Sequence, residues 1–176
     1  MKSRGAITFV PLGGPFVLTD LKGLETSAGI FDLKPSVSGT PVPLEEGELN
    51  AARKQYDAAA ILKRLEGLAK VSGSTLLIGI TEKDLYVQGS NYIFGLADPQ
   101  RSAGVVSLAR LRVNSNPRLL SERIMKEVSH EVGHLVGLKH CPEPTCIMSF
   151  ANSTFDVDSK LPMLCKDCLG QIGVKF

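Results

Sequence analysis

His130, Glu131 and His134 form an HExxH segment, and Gly137 and His140 follow within six residues. On a helix, four-residue spacing puts the imidazoles of His130 and His134 on one face a single turn apart, near enough to bind one Zn2+. Glu131, between them, reaches a metal-bound water from the neighbouring angle and is the candidate general base. HExxH alone arises by accident in many helices. Requiring Gly137 and His140 as well lowers the chance rate by a factor on the order of several hundred. His130, His134 and His140 are therefore read as ligands of a catalytic zinc. A helix continued to position 140 would carry His140 off the face of the first pair, so the chain must turn sharply, and Gly137 tolerates the left-handed backbone of such a turn.

All three histidines and all four cysteines of the chain lie between His130 and Cys168. Cys141, Cys146, Cys165 and Cys168 have the paired-knuckle spacing of a closed structural zinc site. Two other readings stay open: disulfides, which a chain without a secretion signal disfavours, and a redox pair at Cys165 and Cys168. A structural zinc makes energetic sense, because residues 142–162 have little regular hydrophobic periodicity with which to fold alone. It would also clamp the loop bearing His140, whose neighbour is Cys141, so the two sites are expected to be coupled. Two Zn2+ per chain follow.

The helix that positions the first two histidines has readable ends. Asn116 is a good N-cap, Pro117 suits the first turn and Gly137 is the expected stop. Leu120, Ile124, Val128, Val132 and Val136 recur every four residues as an apolar stripe. His130 and His134 each lie about 200° of helix rotation from members of that stripe, so both are expected to face away from the core.

Upstream, 176 residues with 43% hydrophobic and 22% charged side chains suffice for a single domain with its own core. Ala6–Val10, Gly29–Leu33, Leu76–Ile80, Asn91–Ala97 and Gly104–Arg110 read as strands. Phe16–Leu24 reads as a short helix, Pro35–Pro43 as a loop and Glu48–Lys70 as an amphipathic helix of core-packing character. Only a few residues separate Asn91–Ala97 from Gly104–Arg110, too few for a parallel crossover, so as neighbours these two must be antiparallel. The expected fold is α/β, with a mixed, mostly parallel five-stranded sheet and Asn91–Ala97 as an antiparallel edge strand. Residues 1–137 would hold the sheet and helices, and residues 138–176 a zinc-bound C-terminal subdomain.

The formal charge of +2 is near neutral and its basic residues are dispersed, so neither nucleic acid nor an anionic membrane is the expected partner. The N-terminal apolar run is short and no stretch approaches a membrane span, which predicts a cytoplasmic location. A monomer is compatible with the sequence, which does not set the oligomeric state.

The run from His130 to His140 resembles the extended zinc motif of the metzincin metallopeptidases. Its continuation through Cys141, Cys146, Met148, Cys165 and Cys168 is similar to the archaemetzincins, the branch with a second, four-cysteine zinc site. The resemblance covers residues 130–168. It implies a zincin-like fold, with Met148 as a packing support beneath the catalytic zinc. Some metzincins have a tyrosine two residues beyond this methionine; here that position is Phe150, so no phenol from it can approach the metal. The resemblance also implies that a peptide lies extended and antiparallel along the edge strand, assigned to Asn91–Ala97.

The leading expectation is a zinc metallopeptidase, of aminopeptidase or endopeptidase type, in which Glu131 takes a proton from zinc-bound water and delivers it to the leaving amine. The alternative is a zinc-stabilised peptide-binding protein with little or no hydrolytic activity. A four-cysteine nucleic-acid finger is weak, since basic and aromatic residues do not gather around the cysteines.

Overall fold

The computed structural model describes residues 5–15, 21–72 and 76–173. Five strands build the main sheet: β1 (Gly5–Leu12), β2 (Leu33–Val37), β5 (Leu76–Thr81), β7 (Gly95–Asp98) and β8 (Ala103–Ser107), in the order β2-β1-β5-β8-β7. The first four in that order pair in parallel. β7 pairs antiparallel with β8 and forms one edge, as the short connection requires. The strands alternate between two buried faces, which is why they read as continuous apolar runs. Ile7 and Phe9 of β1, Ile78 of β5 and Val106 of β8 face the helices α1 (Leu21–Ile30) and α3 (Pro117–Leu135). Val10, Leu12, Leu77 and Val105 face α2 (Ala58–Ser72), meeting Ile61, Leu62 and Leu65.

Several expected boundaries shift. The second strand begins at Leu33, because Gly29 and Ile30 complete α1 and Asp32 turns the chain at φ +55°. Pro35, expected in a loop, lies within β2, where an edge strand tolerates its missing N–H. Of the short helix expected at Phe16–Leu24, residues 16–20 lie outside the described residues. The long helix starts at Ala58 rather than Glu48, where the Asp57 carboxylate accepts from the Ala59 and Ala60 amides at 2.9 and 3.3 Å. Upstream of it, β3 (Leu49–Asn50) and β4 (Gln55–Asp57) join β6 (Leu85–Tyr86) in a second, three-stranded sheet that the sequence reading lacks. Glu48, expected in the helix, is buried and receives the Arg64 guanidinium at 2.7 and 3.0 Å.

β7 is shorter than Asn91–Ala97. The backbone carbonyl of Asn91 is taken by Arg53 and Gln55, and the Ile93 amide bonds to Leu85, so pairing with β8 begins only at Gly95. β8 ends at Ser107, three residues earlier than expected. There Ser107 Oγ donates to the Lys83 carbonyl and accepts from the Ala109 amide, turning the chain off the sheet.

α3 forms as its caps dictate. Asn116 accepts from the Leu119 amide at 2.9 Å and Pro117 opens the helix. Its stripe of Ile124, Val128 and Val132 is buried against the sheet. The expectation that His130 and His134 face away from the core is overturned for His130, which is 5% exposed, and Glu131 beside it is 4% exposed; His134 is half-buried. Residues 146–172 cover that side of the helix, with Ile147, Met148, Val157, Leu164 and Ile172 buried in the same cluster as the stripe. Two short helices, α4 (Thr154–Ser159) and α5 (Lys166–Gln171), belong to this cover.

Candidate metal centres

α3 ends where the third histidine must be turned back. Gly137 adopts φ +98°, its amide donates to the His134 carbonyl at 3.0 Å, and the Leu138 amide donates to the Gly133 carbonyl at 2.9 Å. These are the paired bonds of a Schellman turn, and its left-handed residue is the one that glycine supplies at no steric cost. The turn also orients a ligand, since His134 Nδ1 donates to the Leu138 carbonyl at 2.8 Å. His130 Nδ1 donates to the Ile147 carbonyl at 2.9 Å. Both Nδ1 protons being engaged, the Nε2 lone pairs remain for a ligand, and these two atoms lie 3.1 Å apart. Ligand atoms of His130, His134 and His140 all fall within 4.8 Å of one another. A tetrahedral zinc with Zn–N bonds of about 2.0–2.1 Å places its nitrogens about 3.3–3.4 Å apart, so the triad fits that ion.

The chemistry of these groups follows from their surroundings. Burial pushes the His130 imidazole down to about 3, with the Lys160 ammonium adding to the effect. Burial lowers His134 and His140 too, so all three imidazoles are held in the neutral form that binds metal. Burial drives the Glu131 carboxyl well above its ordinary range; repulsion from Glu127 adds to this and Lys160 opposes it. Glu131 Oε2 is buried without a hydrogen-bond partner, a costly arrangement in a protein with nothing else to put beside it. Glu131 and the three histidines border an open cleft of about 560 Å3. Phe94, Gly95, Leu96 and Ala97 form its β7 wall, and Phe150, 59% exposed, packs edge-on against His140 at 5.2 Å. Of the strand Asn91–Ala97, Ile93 to Ala97 border this cleft. Tyr92 instead donates to the Asn152 carbonyl at 2.5 Å.

The four cysteines also converge. Cys141 and Cys165 sulfurs are 3.7 Å apart, Cys146 and Cys168 sulfurs 3.8 Å, and all four lie within 4.8 Å of one another. A tetrahedral zinc with Zn–S bonds of about 2.3 Å sets its sulfurs about 3.8 Å apart. A disulfide would need about 2.05 Å, and all four cysteines are free thiols. The Cys165 amide points at Cys146 Sγ at 3.4 Å, and an amide bond from the Cys168 backbone lowers the Cys165 thiol. Burial raises Cys141 and Cys168.

Cys146, Ile147 and Met148 tie the two sets together in three consecutive residues. Cys146 faces the sulfur cluster, the Ile147 carbonyl orients His130, and Met148 is fully buried beneath α3. A Cβ on Gly133 would fall 2.3 Å from the Met148 sulfur, so the bare backbone of Gly133 is what lets that side chain pack there.

Four residues at the site escaped the sequence reading. Gly133 lies within the motif but carried no chemistry of its own. Gly95 places β7 against Glu131: a Cβ there would lie 2.5 Å from Glu131 Oε1. An isolated glycine in a strand pattern signals close approach of this kind. Glu127, one turn before Glu131, borders the cleft and pairs with Lys160 at 3.0 Å, both side chains buried. Nothing local marks that pair, whose members stand 33 positions apart.

An HExxH helix over a mixed sheet, a glycine turn returning a third imidazole, and a methionine packed under the site define the class of the zinc-dependent metallopeptidases. The model for "Peptidase family M54" matches residues 31–173. An archaemetzincin of Pyrococcus furiosus is 42% identical over 96% of this chain and 93% of its own. Another, of Thermococcus kodakarensis, is 44% identical over 66% of this chain and 65% of its own. Among solved structures, the zinc-dependent peptidase of Methanocorpusculum labreanum superposes with a TM-score of 0.86 at 26% identity, covering 96% of this chain and all of that one. The chain belongs to the archaemetzincin family, Peptidase family M54. Among the described residues, no helix is long and apolar enough to cross a membrane.

Proposed function

We propose that the chain hydrolyses peptide bonds at His130, His134 and His140, with Glu131 as the catalytic base, and that Cys141, Cys146, Cys165 and Cys168 hold a second, structural zinc. Zinc held by the three histidines would supply Lewis acidity toward the peptide carbonyl and toward water. The three neutral imidazoles supply three donors, and the cleft beside them leaves room for a fourth ligand. Glu131 accepts the proton of the attacking water at Oε2 and delivers it to the departing amine nitrogen. The observation that carries this reading is the partnerless, buried Oε2 at the floor of the cleft.

The substrate lies as an added antiparallel strand on β7, its register set by main-chain hydrogen bonds. Gly95 brings that strand to within van der Waals contact of the base. Gly137 and Met148 act as supports: one turns His140 into place, the other fills the space under His130 and His134. Residues 138–176 form a subdomain that depends on the second zinc. We place the protein in the cytoplasm, where free thiols persist as metal ligands.

Two zinc ions per chain by metal analysis are expected. Glu131→Ala should retain both and lower kcat in a peptide-library digest by about 10^2–10^4. Full turnover by that variant would remove Glu131 from the mechanism. The reading in which the scaffold binds peptides without cleaving them is not favoured, because the ligand set is complete and Glu131 is retained beside it.

A further inference from the structure

β7 borders a groove on each of its two faces. Gly95 and Ala97 turn toward α3 and the zinc-side cleft, whereas Leu96 packs with the α2 side of the sheet. On that second side lies a groove of about 310 Å3, floored by Ala59 and Leu62 of α2 and by Leu96. Leu96, Ala97 and Pro99 line both spaces, so this part of the chain is a wall shared by the two. At the rim of the second groove Arg101 is held by two carboxylates, Glu66 at 2.5 Å and Asp98 at 3.1 Å. The guanidinium is thereby spoken for, and the rim carries a net charge of −1 from these three groups.

Side chains of an added strand point alternately to the two faces of the sheet it extends. Of the two residues flanking the scissile bond, one must face α3 and the other must face α2. We propose that the α2-side groove is a second specificity subsite of the peptidase, which takes an apolar side chain from alternate residues of the substrate and rejects an acidic one. This rests on the β7-edge docking proposed above. The floor is apolar, and a carboxylate entering the groove would meet Asp98 at its rim while Arg101 is already engaged by Asp98 and Glu66. Selectivity therefore has period two along the substrate, with a different set of protein residues answering for each half.

The test is a digest of peptides varied one position at a time, using zinc-loaded wild type, Ala59→Trp and Ala59→Glu. Ala59 is exposed at the start of α2, so neither substitution enters the core. In wild type, kcat/KM should favour Leu or Phe over Glu at alternate positions. Ala59→Trp fills the groove and should lower the Leu-to-Gly ratio of kcat/KM at those positions about tenfold, leaving the ratios at the intervening positions as they were. Ala59→Glu should raise the preference for Lys or Arg at the same positions. Ratios unchanged in both variants, with cleavage intact, would overturn the groove alone. Equal changes at every position would overturn the alternation, and with it the docking on β7. A wild type that holds both metals yet cleaves no peptide would overturn the hydrolysis on which all of this rests.

Discussion

The histidine set and the cysteine set lie a single peptide bond apart in sequence, between His140 and Cys141, yet differ in everything that decides chemistry. The sulfurs supply four donors within 4.8 Å of one another, two pairs at 3.7 and 3.8 Å, enough for every corner of a zinc tetrahedron, which would leave no position for a reactant. The imidazoles fill three, and the remainder opens on a cleft. A zinc ion would be inert in one surrounding and reactive in the other. A second difference concerns support. The segment bearing Cys141 and Cys146 is closed by its own backbone, the Ser149 amide donating to the Cys146 carbonyl and the Cys141 amide to the Met148 carbonyl. The histidines lean on that segment: His130 on Ile147, and α3 itself on Met148 through Gly133. The segment that carries Cys146 is thus also what holds the first histidine of the open site and the helix that bears it.

If that dependence is real, the contacts between α3 and residues 141–172 should matter in proportion to their burial. Lys160→Met leaves Glu127 buried and unpaired under the cleft, and removing one partner of such a pair costs about 3–5 kcal/mol. Thermal unfolding of the zinc-loaded variant should show this as a fall in Tm of roughly 10 °C. A Tm shift near zero would mean that the C-terminal segment only rests on α3. Gly133→Ala sharpens the comparison at a single atom: the added methyl meets Met148, and overpacking of this kind costs about 1–3 kcal/mol. Chemical denaturation should register the loss in both midpoint and zinc retention. Gly137→Val is smaller still, about 1–2 kcal/mol for a non-glycine residue in the left-handed region. It acts on the histidine site alone, so zinc affinity there should drop while the cysteine site keeps its ion. Unchanged affinity would count against the Schellman turn as the device that places His140.

The two groups that converge were legible from sequence because His and Cys are few and their spacing is local. The same holds for α3, whose Asn116 cap and Gly137 stop are one-residue signals. Edge-strand direction was legible too, since a connection of six residues, 98–103, excludes a parallel crossover. What could not be read depends on distant parts of the chain. The burial of His130 and Glu131 is imposed by Ile147, Met148 and Val157, which cover a helix face that periodicity alone assigns to solvent. The pairing of Glu127 with Lys160 has the same origin. The hairpin of β3 and β4 displaced a helix because Gln55 and Arg53 find partners near Asn91, a tertiary gain that outweighs local helical preference.

The dependence of one site on the other is tested most directly by measuring zinc affinity at the histidines, by competition with a chelator, in wild type and in Cys146→Ser. Loss of the sulfur site should free Ile147 and weaken the histidine zinc by about 10–100-fold, the usual cost of losing an outer hydrogen-bond partner. Equal affinities in the two proteins, with the second zinc gone from the variant, would contradict the account.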